Sequence, residues 1–151
     1  RPSLSGRRFL ELEAGFAPMF TKREPTIVAR VGWASRALRR MAAICAGRDA
    51  RLVVVLVPDE IQVSSDLQAR VLERLAPLSR EDFDFSRPNR LLRAELARYG
   101  IATIDLLDPF LEGASRKTLY KPNDGHWNIG GNRLAAKRLA GALRASGALA
   151  N

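Results

Sequence analysis

Two short apolar runs constrain the fold of this chain more than anything else in it: Arg51 to Val57, almost all valine and leucine up to Pro58, and Ile101 to Leu106. A strand with one wet face alternates apolar and polar side chains, whereas a continuous β-branched run suits a strand buried on both faces of a parallel sheet. Parallel neighbours need crossover connections, and segments of helical period surround both runs. Ala34, Leu38, Met41, Ala42 and Cys45 recur at helical spacing before Gly47, predicting an amphipathic helix that feeds the first strand. Leu67, Val71, Leu72 and Leu75 mark a helix that Ser65 or Asp66 would cap and Pro77 would end. Another starts near Pro88 and would bury Leu92, Leu96 and Tyr99 before Gly100. Between them, residues 78–87, acidic and carrying Phe83 and Phe85, read as a surface loop. A last helix capped by Asn128 would bury Ala135, Leu139, Ala142 and Leu143, present Arg133, Lys137 and Arg144 to solvent, and close at Gly147. The order helix, strand, helix, helix, strand predicts an α/β domain, three-layered α/β/α, with a mainly parallel sheet.

Residues 1–32 are less legible: Pro2, Pro18 and Pro25 interrupt any period, Arg8 to Phe16 suggests a short helix, and Thr26 to Val31 a short strand. With 151 residues, 46% of them apolar, the chain reads as a single domain over 1–151. No stretch approaches the roughly 20 apolar residues of a membrane span. Cys45 is the lone cysteine, so no disulfide or cysteine metal site is expected, and it reads as a small buried hydrophobe. The net charge of +9 raises the question of nucleic acid. Its distribution argues against that partner: Arg36, Arg39 and Arg40, then Arg90, Arg93 and Arg98, then Arg133, Arg138 and Arg144 each alternate with apolar positions, as solvated helix faces do.

The chemistry concentrates just before the last helix, in Tyr120-Lys-Pro-Asn-Asp-Gly-His-Trp-Asn128. This segment is placed after the end of a strand and before a helix, the edge where open α/β sheets bind ligands. Asp124 stands two residues before His126, the only histidine, across a glycine that leaves the chain free to curl. A carboxylate held against Nδ1–H fixes the imidazole tautomer and leaves Nε2 to take a proton from a nucleophile. Trp127 would pack the loop and Asn128 anchor it to the helix. The residues alone leave two other readings open. Asp124 and Asn123 can form a mere turn or cap with His126 packed nearby. A metal site is the other, although no third or fourth ligand stands at characteristic spacing. No metal or cofactor is assigned. Asp59, after Pro58, is a pocket candidate that reads better as a solvated loop carboxylate, and Asp105 and Asp108 read as caps or loop residues.

The stretch from Leu119 through the Asp124-Gly-His-Trp block to Ala136 resembles the final block of the SGNH (GDSL-like) hydrolase superfamily, which supplies an aspartate and a histidine on a loop before the last helix. It is especially similar to the alginate-acetylation-type SGNH-like acyltransferase branch, where the aspartate stands two positions before the histidine and a tryptophan follows. Leu52 to Val63 and Gly100 to Phe110 resemble that superfamily's preceding strands, so the likeness spans about residues 33–146. It implies a flavodoxin-like SGNH fold and a serine esterase or O-acyltransferase acting on an acetyl ester of a carbohydrate or cell-envelope polymer. Asp124 and His126 would be the catalytic pair, at a periplasmic or cell-envelope location. The family's Gly-Asp-Ser nucleophile block has no counterpart: Ser3, Ser5, Ser35, Ser64 and Ser65 lack its context, and the oxyanion blocks are not recognisable. The expectation is therefore a C-terminal portion of such a domain, incomplete at its N-terminus. Such a chain would be inactive alone and prone to self-association or to pairing with a missing N-terminal segment. The alternative is a noncatalytic carbohydrate-binding or assembly module of the same fold.

Overall fold

The computed structural model describes residues 4–115 and 117–146. Helix α1 (Gly6–Phe16) opens on Ser5, whose side chain accepts from the Arg8 amide, and runs into a 3₁₀ turn, Ala17–Phe20. Then follow α2 (Thr26–Ala46), β1 (Val53–Leu56), the single turn α3 (Glu60–Val63), α4 (Ser65–Leu72), α5 (Arg87–Ala97), β2 (Ala102–Asp105), α6 (Leu107–Ala114) and α7 (Ile129–Ala145). Strands β1 and β2 pair in parallel, Val53 with Ala102 through Leu56 with Asp105. Ile104 packs on the cluster of Leu106, Phe110, Leu119 and Ala135 from α6, α7 and the loop between them. Asp105, the next residue and therefore on the opposite face, meets Asn89 and Arg93 of α5. Helices thus lie on both sides of a parallel sheet, although β1 is left partly uncovered, and the α/β architecture is as expected, with two strands among the described residues.

Several local expectations are corrected. Thr26 to Val31 is helix, not strand. Glu24 accepts from the Thr26 amide at 2.9 Å, and Ile27, Val31, Ser35, Leu38, Ala42 and Cys45 form one stripe of buried or half-buried residues along α2. That packing, against α5, overrides the weak helix propensity of the β-branched residues. Ala34 and Met41 fall off the stripe and are exposed, and Cys45 is half-buried. Helix α4 is capped by Ser64, not by Ser65 or Asp66. Phe83 and Phe85 do not lie on a surface loop: they stack at 5.6 Å and are buried with Phe9, Phe20, Ile61 and Val71 in a core of their own. Tyr99 is 40% exposed, lying under the Arg39 guanidinium instead of in the core. The strand predicted to be buried on both faces is open along one, with Val55 37% and Val57 61% exposed. Gly147 lies outside the described residues. No helix among the described residues is long and apolar enough to cross a membrane.

Candidate active site

Helix α6 stands between β2 and the Asp124 loop, so the loop does not follow the strand directly. Asp105 is the last residue of β2 and not a cap or loop residue; its carboxylate accepts from the Leu107 amide at 3.0 Å where α6 begins, while Asp108 is exposed in the first turn of that helix. The loop is closed at its base by backbone pairing of Tyr120 with Trp127. The Lys121 amide donates to the His126 carbonyl at 2.8 Å and the Asn128 amide to Leu119 at 2.9 Å. Asn128 serves twice: its side chain caps α7 through the Gly131 amide at 3.0 Å and donates back to the carbonyls of Thr118 and Tyr120. Trp127 packs on Phe110 with ring centroids 4.8 Å apart.

Within this frame, Asn123 (φ 51°) and Gly125 (φ 71°) both lie in the left-handed region, one on each side of Asp124. Asparagine is among the few residues other than glycine that tolerate it, so the sequence permits the double bend that turns Asp124 back on His126. His126 Nδ1 meets the Asp124 carboxylate, and the Asp124 carbonyl lies 3.1 Å from the same nitrogen. Two acceptors at Nδ1 place the proton there, leaving Nε2 as the proton acceptor. Their surroundings differ sharply, since the Asp124 side chain is 9% exposed and that of His126 80%. The carboxylate is built into the loop; the imidazole stands in solvent.

His126 lines a cleft of about 370 Å³ with Lys121, Gly125, Trp127, Asn132 and the strand-end residues Val57 and Pro58. The loop therefore does face the carboxyl end of the sheet, through β1 instead of β2. No serine, threonine or cysteine among the described residues lines this cleft. Ser35 is buried on α2 with its hydroxyl donating to the Val31 carbonyl at 2.8 Å, whereas Ser5 and Ser64 cap helices. Among the described residues no three histidine, cysteine, aspartate or glutamate side chains are grouped to hold a metal.

Asp59 is not a solvated loop carboxylate. It caps α3 in a reciprocal box with Gln62, whose side chain accepts from the Asp59 amide at 2.9 Å. It lines a separate cavity of about 310 Å³ with Met19, Phe20 and Asn89, and burial raises its pKa. Two residues the sequence did not single out gather beside it. Glu13, 6% exposed on α1, has its pKa raised to about 8 by burial and by the charges of Asp59 and Glu60. Glu60 is raised to about 7 by burial and Asp59. One oxygen of each, Glu13 Oε2 and Glu60 Oε2, is buried without a hydrogen-bond partner. Carboxylates in that setting favour the protonated form.

A family model described as an SGNH hydrolase-like domain, acetyltransferase AlgX, matches residues 19–151. No curated protein and no solved structure gives a match.

Proposed function

Because the chain belongs to the SGNH hydrolase-like family of the AlgX acetyltransferase type, we propose that it forms the acid–base half of a serine esterase or O-acyltransferase site. The substrate would be an acetyl ester of a carbohydrate or cell-envelope polymer. The observation that carries this reading is the Asp124–His126 contact, with Nδ1 held and the ring lining a cleft at the sheet edge.

His126 Nε2 takes the proton of a nucleophilic hydroxyl as its oxygen attacks the ester carbonyl carbon. The imidazolium, stabilised by Asp124, returns that proton to the departing alcohol oxygen and leaves an acyl ester on the nucleophile. In the second half, water or an acceptor sugar hydroxyl gives its proton to Nε2 and attacks the acyl carbon, and the nucleophile leaves reprotonated. Hydrolysis and transfer differ only in that acceptor. The hydroxyl that begins the sequence is supplied from outside the described residues.

The absence of a hydroxyl from the described cleft favours a second reading, a carbohydrate-binding or assembly module that performs no chemistry. Hydrolysis of an activated acetyl ester separates the two. The chain alone is expected to be inactive, and a longer form of the protein active, with loss of that activity in His126→Ala. A longer form that binds polysaccharide but turns over no ester supports the binding module and ends the catalytic reading.

A further inference from the structure

The contact between Asp124 and His126 lies within one loop, so it fixes the imidazole relative to the loop and not relative to the cleft. The opposite wall belongs to β1. Something must therefore set the loop against the strand end. Tyr120 joins the two: at the base of the loop it is paired through its backbone with Trp127, is 6% exposed, and its phenol hydroxyl donates to the Pro58 carbonyl at 2.9 Å. Pro58 is fully buried and directly follows Val57, and both residues line the His126 cleft. The Tyr120 ring is held edge-on by Phe110, centroids 6.0 Å apart, and Phe110 also carries Trp127. Resting on the reading of His126 as the base, we propose that Tyr120 is a positioning residue which, through the Pro58 carbonyl, sets the height of the His126 imidazole above the strand-end wall of the cleft.

The chemistry suits the task. Burial, together with the neighbouring carboxylates of Asp59, Glu60 and Glu13, pushes the phenol well above its ordinary range, so the hydroxyl stays protonated and remains a donor. A phenylalanine would preserve the ring contacts, remove the hydroxyl's hydrogen bonds to the Trp127 side chain and to the Pro58 carbonyl, and leave the backbone closure of the loop in place. Reacting groups misplaced by about 1 Å lose rate on the order of a hundredfold, so such a joint bears on reactivity even without touching substrate.

Nuclear magnetic resonance on this chain tests the assignment without requiring turnover. The Val57 methyl shifts are expected to follow the titration of His126 across the cleft. In Tyr120→Phe the resonance of the His126 Nδ1 proton should stay where it is, because the Asp124 contact survives. The coupled Val57 shift should be lost or clearly reduced, because the hydrogen bond that sets the spacing between loop and strand end is gone. Phe110→Leu, which loosens packing on the same ring but keeps the hydroxyl, should retain the coupled shift. The unmutated chain should also show a slowly exchanging Tyr120 hydroxyl proton, a measurement independent of how well any variant folds. An unchanged Val57 response in Tyr120→Phe, an equal loss in Phe110→Leu, or a rapidly exchanging hydroxyl in the unmutated chain each overturns the proposal. Asp124→Asn examines the underlying pair separately: a His126 Nδ1 proton resonance indifferent to it defeats the base assignment, whatever Tyr120 does.

Discussion

The two walls of the His126 cleft are built to different standards. The loop wall is fixed from several directions: backbone pairing at its base, the Asn128 cap, the Trp127–Phe110 contact and the Tyr120–Pro58 bond. The strand wall is pinned at Pro58, but the valines leading to it are open, with Val57 61% exposed and its ladder ending one residue earlier at Leu56. On the proposed reading, the loop that carries the base is thus tied down from several directions, and the side on which a nucleophile and acyl group would sit is open.

The largest effect expected from this contrast is on turnover. In a catalytically competent longer form, His126→Ala should lower kcat for an activated acetyl ester by about 10³-fold or more, and Asp124→Asn by a comparable factor, since each removes a member of a group that acts as a unit. Stopped assays under saturating ester read the loss. An Asp124→Asn effect below about tenfold would mean that the orientation of the imidazole is not what the loop is built to provide.

The next is on stability and separates the walls directly. A Cβ at Gly131, in the first turn of α7, would collide with the Leu119 carbonyl oxygen and come within 2.9 Å of Trp127 Cβ. Both neighbours belong to the loop wall, and neither can retreat cheaply, so Gly131→Ala should cost about 3 kcal/mol or more. Gly141, on the same helix, meets nothing within 4 Å, and its alanine variant should gain up to about 1 kcal/mol from helix propensity alone. Denaturant unfolding of the two variants compares them. Equal, small effects would show the loop wall to be softer than it is drawn.

What could be read from sequence follows the same division. The Asp124-Gly-His segment was legible because a short-range geometry needs only three residues and a permissive glycine, and the α/β order was legible because helix and strand periods differ. Long-range packing was not. Phe83 and Phe85 sit in an acidic stretch that looks like a surface loop, yet they fill a core with residues distant in sequence, among them Phe9 and Phe20 from α1 and the turn after it. The valine run of β1 carries the composition of a strand buried on both faces, while the described fold covers it incompletely. One signal was available and passed over: Asp59 with Gln62 three residues on has the spacing of a capping box and marks α3. Glu13 and Tyr120 gave no warning, because an isolated glutamate or tyrosine in a helical or loop pattern says nothing about what it will be buried against.

Glu13 provides the third comparison, a carboxyl buried beside Asp59 and Glu60 and on neither wall. A carboxyl whose folded pKa lies above its unfolded value binds more protons when folded, so the contribution of Glu13 to stability is fully present below the unfolded value of 4.5 and is lost as pH rises towards about 8. Glu60, raised to about 7, adds to the same slope over a narrower window. Glu13→Gln removes the charge that must otherwise be buried and should flatten the slope. It should gain on the order of 1–2 kcal/mol over the unmutated protein at pH 8, after allowance for solvent screening, and little at pH 4. Thermal melts across that range measure it; a variant less stable at pH 8 than the unmutated protein would mean that the charged form is held by a partner.

The smallest effect belongs to the strand wall itself. Val57→Thr keeps the β-branched shape and exchanges a methyl for a hydroxyl at a position already 61% exposed. If the wall stands open in solution, no polar group is newly buried and the change in unfolding free energy should stay within about 0.5 kcal/mol, at any protein concentration. If a second copy of the chain or another segment closes over the open face of β1, the hydroxyl enters an apolar contact without a partner. The cost then rises to about 1–3 kcal/mol and becomes dependent on protein concentration where a second copy is responsible. Unfolding of the unmutated protein and of Val57→Thr at two well-separated concentrations therefore decides whether the contrast between the walls is a property of the working molecule. A small, concentration-independent difference keeps it. A large one would show that the strand wall is as fully built as the loop wall, by contacts that the lone chain does not contain.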